Sequence, residues 1–107
     1  MSAPDENLGA VFGALADPSR RHVLKTLSTR PNATQHELSA ELPITRQAVS
    51  KHLATLCQAG LVEAERRGRE VRYRLTPEPL ERAAAWMVDV GADWDRRLAS
   101  LQRLLSR

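Results

Sequence analysis

Residues 44–62, "ITRQAVSKHLATLCQAGLV", decide how this chain folds. At about 100° per residue, Val49, Leu53 and Leu56 fall on one helical face. Gln47, Lys51, Ala54 and Gln58 fall on the opposite face, with Ser50 at its flank. Thr45 stands where a capping residue belongs, and Gly60 where a helix stops. Arg46, Gln47, Ser50 and Lys51 form a row of hydrogen-bonding side chains with no acid among them to serve as partner. That row needs a partner from outside the helix.

The preceding stretch pairs with this helix. Thr34 followed by Glu37 is a capping box, which opens a short helix with Leu38 and Leu42 inward and Pro43 at its end. Two helices of about ten residues joined by a turn of about three make a helix-turn-helix. Further upstream, Leu8, Val11, Phe12 and Leu15 follow helical spacing and predict a first helix over 5–16. In "DPSRR", Asp17 caps a second helix and Pro18 fits its first turn. That helix buries Val23, Leu24 and Leu27 and stops near "RPN".

Downstream of Gly60 the period changes to two. Val62 and Ala64 alternate with Glu63 and Glu65, and Val71, Tyr73 and Leu75 alternate with Arg72 and Arg74. With "RRGR" as the turn and Gly68 in its positive-φ position, Ala64 is expected opposite Val71, Val62 opposite Tyr73, and Glu63 opposite Arg72. Arg66, Arg67 and Arg69 are then left at the tip with little to neutralise them. Thr76–Pro77 restarts a helix as Asp17–Pro18 does. From there Leu80, Ala84, Met87, Gly91, Trp94, Leu98, Leu101 and Leu105 form a heptad stripe, with Trp86 beside it. The expected fold is mainly α with a small two-stranded antiparallel hairpin: four helices, the hairpin and a long last helix, the winged helix-turn-helix arrangement.

The 107 residues fit one domain spanning 1–107. With only four aromatic residues (two Trp, one Tyr, one Phe) the core has to be Leu, Val and Ala, which favours packed helices. The net charge of +3 is mild, but seven cations against Glu63, Glu65 and Glu70 leave residues 44–75 at +4, a basic patch on a near-neutral body. Such a patch suits a polyanion. Cys57 is the single cysteine, so no intrachain disulfide forms. The acidic, interrupted N-terminal stretch resembles neither a signal peptide nor a membrane span, and the expected location is cytoplasmic.

Double-stranded DNA answers the unpaired row of donors. A helix fits the major groove, where Gln47 can bond adenine twice, Ser50 can donate or accept, and Lys51 and Arg46 can bind guanine or phosphate. The arginine tip would follow the backbone or minor groove, adding salt-sensitive affinity. The alternative is a winged helix that docks an acidic protein, but a docking face would carry aromatic or aliphatic anchors instead of polar donors. An enzyme is not expected: Ser50 and His52 point in different directions on one helix, and there is neither a phosphate-cradling glycine loop nor a carboxylate pair.

"ALADPSRRHVLKTL", "ITRQAVSKHLATLCQAGLV" and "RRGREVRYRL" resemble the ArsR/SmtB family of bacterial winged-helix repressors, in order and over essentially the whole chain. The resemblance implies a homodimer joined by its terminal helices (1–16 and 77–107), a palindromic operator, and repression relieved by an effector that the sequence does not identify. Carried over by position, the recognition-helix contacts are Arg46, Gln47, Ser50, Lys51 and His52, and the wing contacts Arg66, Arg67 and Arg69. The heptad stripe supports the dimer independently, because so small a domain cannot cover all of it; the alternative is a stripe that packs back on its own domain. Leu8, Phe12, Met87, Trp94, Leu98, Leu101 and Leu105 are the expected interface, with Leu80 and Ala84 turned inside.

No cofactor or metal is expected. Thr34 and His36 occupy the positions where metal-sensing relatives carry a cysteine pair, and no histidine follows His52. Asp89, Asp93 and Asp95 alone make a poor transition-metal site. His22 reads as surface or interface, His36 as solvated, and His52 as a hydrogen-bonded structural residue with phosphate contact second. Cys57 reads as a semi-buried structural thiol, with a redox or thiol sensor as the alternative, since oxidation there could shift the helix.

Overall fold

Capping chemistry sets the element boundaries in the computed structural model, which describes residues 3–105. The order is α1 (Ala3–Leu15), α2 (Pro18–Thr29), β1 (Ala33–Thr34), α3 (Gln35–Glu41), α4 (Arg46–Gln58), β2 (Val62–Arg67), β3 (Glu70–Leu75) and α5 (Pro77–Leu105). Asp17 Oδ1 accepts from the Ser19 and Arg20 N–H groups at 2.7 and 3.1 Å, opening α2 with Pro18 in its first turn. Thr34 and Glu37 form the reciprocal capping box at the start of α3. Thr45 caps α4 through the Ala48 N–H at 3.0 Å. Gly60, at φ +78°, ends α4: its N–H bonds the Cys57 carbonyl while the Leu61 N–H reaches back to Leu56, both at 3.0 Å. This paired closure needs a left-handed residue, hence the glycine.

Two arginines close the end of α1. Arg20 Nε donates to the Ala14 carbonyl at 2.8 Å, and Arg21 donates to the Leu15 carbonyl at 2.6 Å. Helix-terminal carbonyls lack intrahelical partners, so the "RR" pair supplies them from the next helix.

The core lies where α1, α2, α3, α4 and the root of the hairpin meet. Val11, Val23, Leu27, Leu38, Val49, Leu53, Leu56 and Leu61 are its fully buried large side chains. Each contributes about 1.5–3 kcal/mol by burial. The face assignments for α2, α3 and α4 therefore hold, and no charged side chain among the described residues is buried with them.

The sheet differs from the expectation in two ways. It has three strands, ordered β1-β3-β2, because Ala33 and Thr34 pair with Tyr73 and Arg72. Two residues are too short for periodicity to reveal. Asn32 at φ +62° turns the chain into this strand, and its carbonyl accepts from Arg72 at 2.8 Å. The hairpin register is also shifted by two residues: Ala64 faces Tyr73, Val62 faces Leu75, and Glu63 faces Arg74 instead of Arg72. The loop narrows to Gly68–Arg69, so Arg66 and Arg67 join the strand. Gly68 at φ +64° followed by a residue with negative φ matches the favoured two-residue turn with glycine first. A shift of two preserves which side chains share a face, so only the pairing changes.

α5 leaves the body. Its first turns are covered, with Pro79 and Ala83 buried and Leu80 half-buried. Ala84, expected inside, is exposed, since Ala83 takes the inward position. Thr76 does not cap α5: its N–H bonds the Leu61 carbonyl at 2.8 Å and its buried hydroxyl has no partner among the described residues. Beyond Trp86 the apolar stripe is open. Trp94 is 58% and Leu101 52% exposed, and Met87, Val90, Leu98, Leu104 and Leu105 are exposed as well. The radius of gyration of 18.4 Å exceeds the roughly 13 Å of a compact chain this long because the helix projects.

Candidate nucleic-acid interface

α4 presents its polar face as its spacing requires. Val49, Leu53 and Leu56 are at most 1% exposed, while Arg46, Gln47, Ser50, Lys51, Ala54 and Gln58 are exposed. The side chains of Gln47, Ser50 and Lys51 make no hydrogen bond or ion pair with any other described residue. Arg46 is held from α3: its guanidinium meets His36 Nδ1 at 3.3 Å, and its carbonyl accepts from the Gln35 amide at 3.2 Å. His36, read as solvated, thus has a specific partner that spacing alone did not indicate.

His52 sits half-buried between the two faces of α4, and its Nδ1 is buried without a hydrogen-bond partner among the described residues. The structural hydrogen bond expected there is not made at that nitrogen. His22 is exposed on α2. Nearby, the Asp17 carboxyl is held below its usual value, chiefly by the Arg20 N–H. The Ser19 N–H and the charges of Arg20 and His52 reinforce this against a desolvation cost.

The wing sorts its charges by face. Glu63, Glu65, Arg67, Glu70, Arg72 and Arg74 share one side of the hairpin, and all are in ion pairs. Arg74 meets Glu63 at 2.6 Å, Arg72 meets Glu70 at 2.8 Å, and Arg67 meets Glu65 at 3.3 Å. Arg72 also lies 3.6 Å from Glu37, tying the wing to the start of α3. Arg66 and Arg69 are exposed and have no such partner among the described residues. The three pairs cancel, so the +4 of residues 44–75 resides on Arg46, Lys51, Arg66 and Arg69. Of the three wing arginines singled out by sequence, Arg67 is the one already engaged.

No group of three or more His, Cys, Asp or Glu residues is placed to hold a metal ion among the described residues. Cys57 is half-buried, and desolvation pushes its thiol above the ordinary range. A raised thiol stays protonated at neutral pH, the opposite of what a reactive cysteine needs. No helix is long and apolar enough to cross a membrane among the described residues.

Comparison with known proteins agrees with this geometry. The family model described as "MarR family" matches residues 17–70, from the cap of α2 to the first residue of β3. The uncharacterized HTH-type transcriptional regulator YuzN of Bacillus subtilis is 42% identical over 70% of this chain and 88% of its own. The HTH-type transcriptional regulator CmtR of Mycobacterium tuberculosis is 43% identical over 72% of this chain and 64% of its own. An ArsR-like transcriptional regulator from Rhodococcus sp. RHA1 superposes with a TM-score of 0.84 at 39% identity, over 96% of both chains. The MarR match spans the winged-helix core, whereas the Rhodococcus likeness takes in nearly the full length. The chain thus belongs to the ArsR-like family of winged-helix, DNA-binding transcriptional regulators, a class without enzymatic activity.

Proposed function

We propose that this chain acts as a homodimeric repressor of a palindromic operator, with α4 in the major groove and the wing on the backbone or minor groove. The observation that carries the reading is the α4 face itself, where Gln47, Ser50 and Lys51 are exposed with no side-chain partner among the described residues. Gln47 and Ser50 read base edges, Lys51 and Arg46 bind guanine or phosphate, and His52 reaches phosphate from the flank. Arg66 and Arg69 supply the wing's phosphate contacts, joined by Arg67 once it leaves Glu65. The open stripe of α5 favours the dimer: Met87, Trp94, Leu98, Leu101 and Leu105 are exposed in the single chain and would be covered by a second copy. Leu8 and Phe12 pack partly on their own core and offer their remaining surface to the same interface. Two-fold symmetry sets the recognition helices about 34 Å apart, one turn of DNA, and the bound dimer would exclude other proteins from that stretch.

Selection of duplexes from a random pool tests this reading, followed by native mass spectrometry of the complex. The expected result is an inverted repeat with half-sites about 10 bp apart, bound by two chains. A pool that shows no sequence enrichment, or one chain per duplex, would overturn it.

A further inference from the structure

We propose that His36 is a positioning residue for DNA recognition: it orients the Arg46 guanidinium at the start of α4 before the duplex arrives. This rests on the DNA-reading role of α4 given above, and adds a residue from α3 to it. His36 Nδ1 stands 3.3 Å from an Arg46 guanidinium nitrogen, and the neighbouring Gln35 amide donates to the Arg46 carbonyl at 3.2 Å. Two successive side chains in the first turn of α3 thus hold both ends of one residue in the first turn of α4. Arginine has no acceptor, so the bond requires His36 Nδ1 to be unprotonated and its proton to sit on Nε2.

The choice of a neutral acceptor has a consequence. A carboxylate at position 36 would also orient the guanidinium, but it would cancel the charge, as Glu65, Glu70 and Glu63 do for Arg67, Arg72 and Arg74. Imidazole orients without neutralising. Arg46 makes no ion pair with any described residue, so it keeps its full charge for guanine or phosphate. An arginine already held in place loses less side-chain freedom on binding than a free one.

The test uses a duplex selected from a random pool by the wild-type protein, with affinities read by fluorescence anisotropy. His36→Ala should bind it about threefold to tenfold more weakly, the worth of one hydrogen bond. It should relax discrimination at the same base pairs as Arg46→Ala does. His36→Asn, which keeps an acceptor near the Nδ1 position, should recover most of the loss. In an Arg46→Ala background, His36→Ala should change affinity by less than about 1.5-fold, because its effect runs through the arginine. Wild-type affinity in His36→Ala, or an equal loss with and without Arg46, would overturn the positioning role while leaving the DNA-reading role intact. If the wild-type protein enriches no duplex, the DNA-reading role fails and this inference with it.

Discussion

Phe12 of α1 meets Trp86 of α5 edge to face, with ring centroids 5.4 Å apart and planes inclined at 60°. The contact fixes the long helix to the body where its apolar stripe passes from covered to open. Before it, Pro79 and Ala83 are buried; after it, Val88, Val90 and Trp94 are exposed. Phe12→Ala should therefore lower stability by at least the ring pair's worth, about 0.5–1.5 kcal/mol. Thermal denaturation with tryptophan fluorescence measures this, and an unchanged melting curve would show that the contact does not hold α5.

Trp94 lies eight residues beyond Trp86, about 12 Å further along the helix. Being 58% exposed in the single chain, it tests the dimer without disturbing the core. Trp94→Arg should shift sedimentation velocity from dimer to monomer at micromolar concentration while leaving helical circular dichroism unchanged. A dimer of wild-type stability would place the interface elsewhere.

On the wing, Arg66 and Arg69 have no side-chain partner among the described residues, whereas Arg72 holds the Asn32 carbonyl and Glu70. Substituting alanine for Arg66 or Arg69 should each reduce the slope of log affinity against log salt by about 0.9. Arg72→Ala should instead cost about 1 kcal/mol of stability, the net worth of a lost hydrogen bond. Salt titrations and urea unfolding of the three variants separate the two roles. A salt slope unchanged in both Arg66→Ala and Arg69→Ala would remove the wing from the DNA surface.

Glu37 links the capping box of α3 to two arginines. Its carboxyl is held below the ordinary range chiefly by the Thr34 backbone N–H, then by the Thr34 hydroxyl, with Arg72 and Arg30 adding and desolvation opposing. A depressed folded-state value means that the stabilisation is complete above the unfolded value. It is lost as pH falls through the folded one. Wild-type stability should thus decline below about pH 4.3, the ordinary glutamate value. Glu37→Gln, which keeps the capping geometry but not the charge, should start lower at neutral pH and decline less steeply. Urea midpoints between pH 7 and 3 measure both curves, and parallel curves would contradict the assignment.

Much of this architecture was legible in the sequence because its signals are local. The caps at Asp17, Thr34 and Thr45 and the stop at Gly60 depend on residues within one helical turn, and they fall where the spacing placed them. The Val49, Leu53, Leu56 stripe likewise fixed both faces of α4. What escaped was set by contacts distant along the chain. β1 exists because Ala33 meets Tyr73, forty residues away, and the hairpin register was settled by turn geometry that the alternation could not distinguish. The sharing of charge on the wing follows from that register: once Glu63 faces Arg74, Arg72 turns to Asn32 and Glu70. The His36–Arg46 contact joins two helices across a turn, and neither residue's local pattern announces it.

Base-sequence reading by the exposed face of α4 underlies the proposed function. Its most direct measurement is the ratio of affinities for a selected duplex and a scrambled one, at a fixed salt concentration, for wild type and Gln47→Ala. The wild type should favour the selected duplex by about a thousandfold or more. Gln47→Ala should lose about 1–3 kcal/mol of that preference at one or two base pairs while binding scrambled DNA as before. Equal wild-type affinity for the two duplexes, or a Gln47→Ala ratio identical to wild type, would contradict the account.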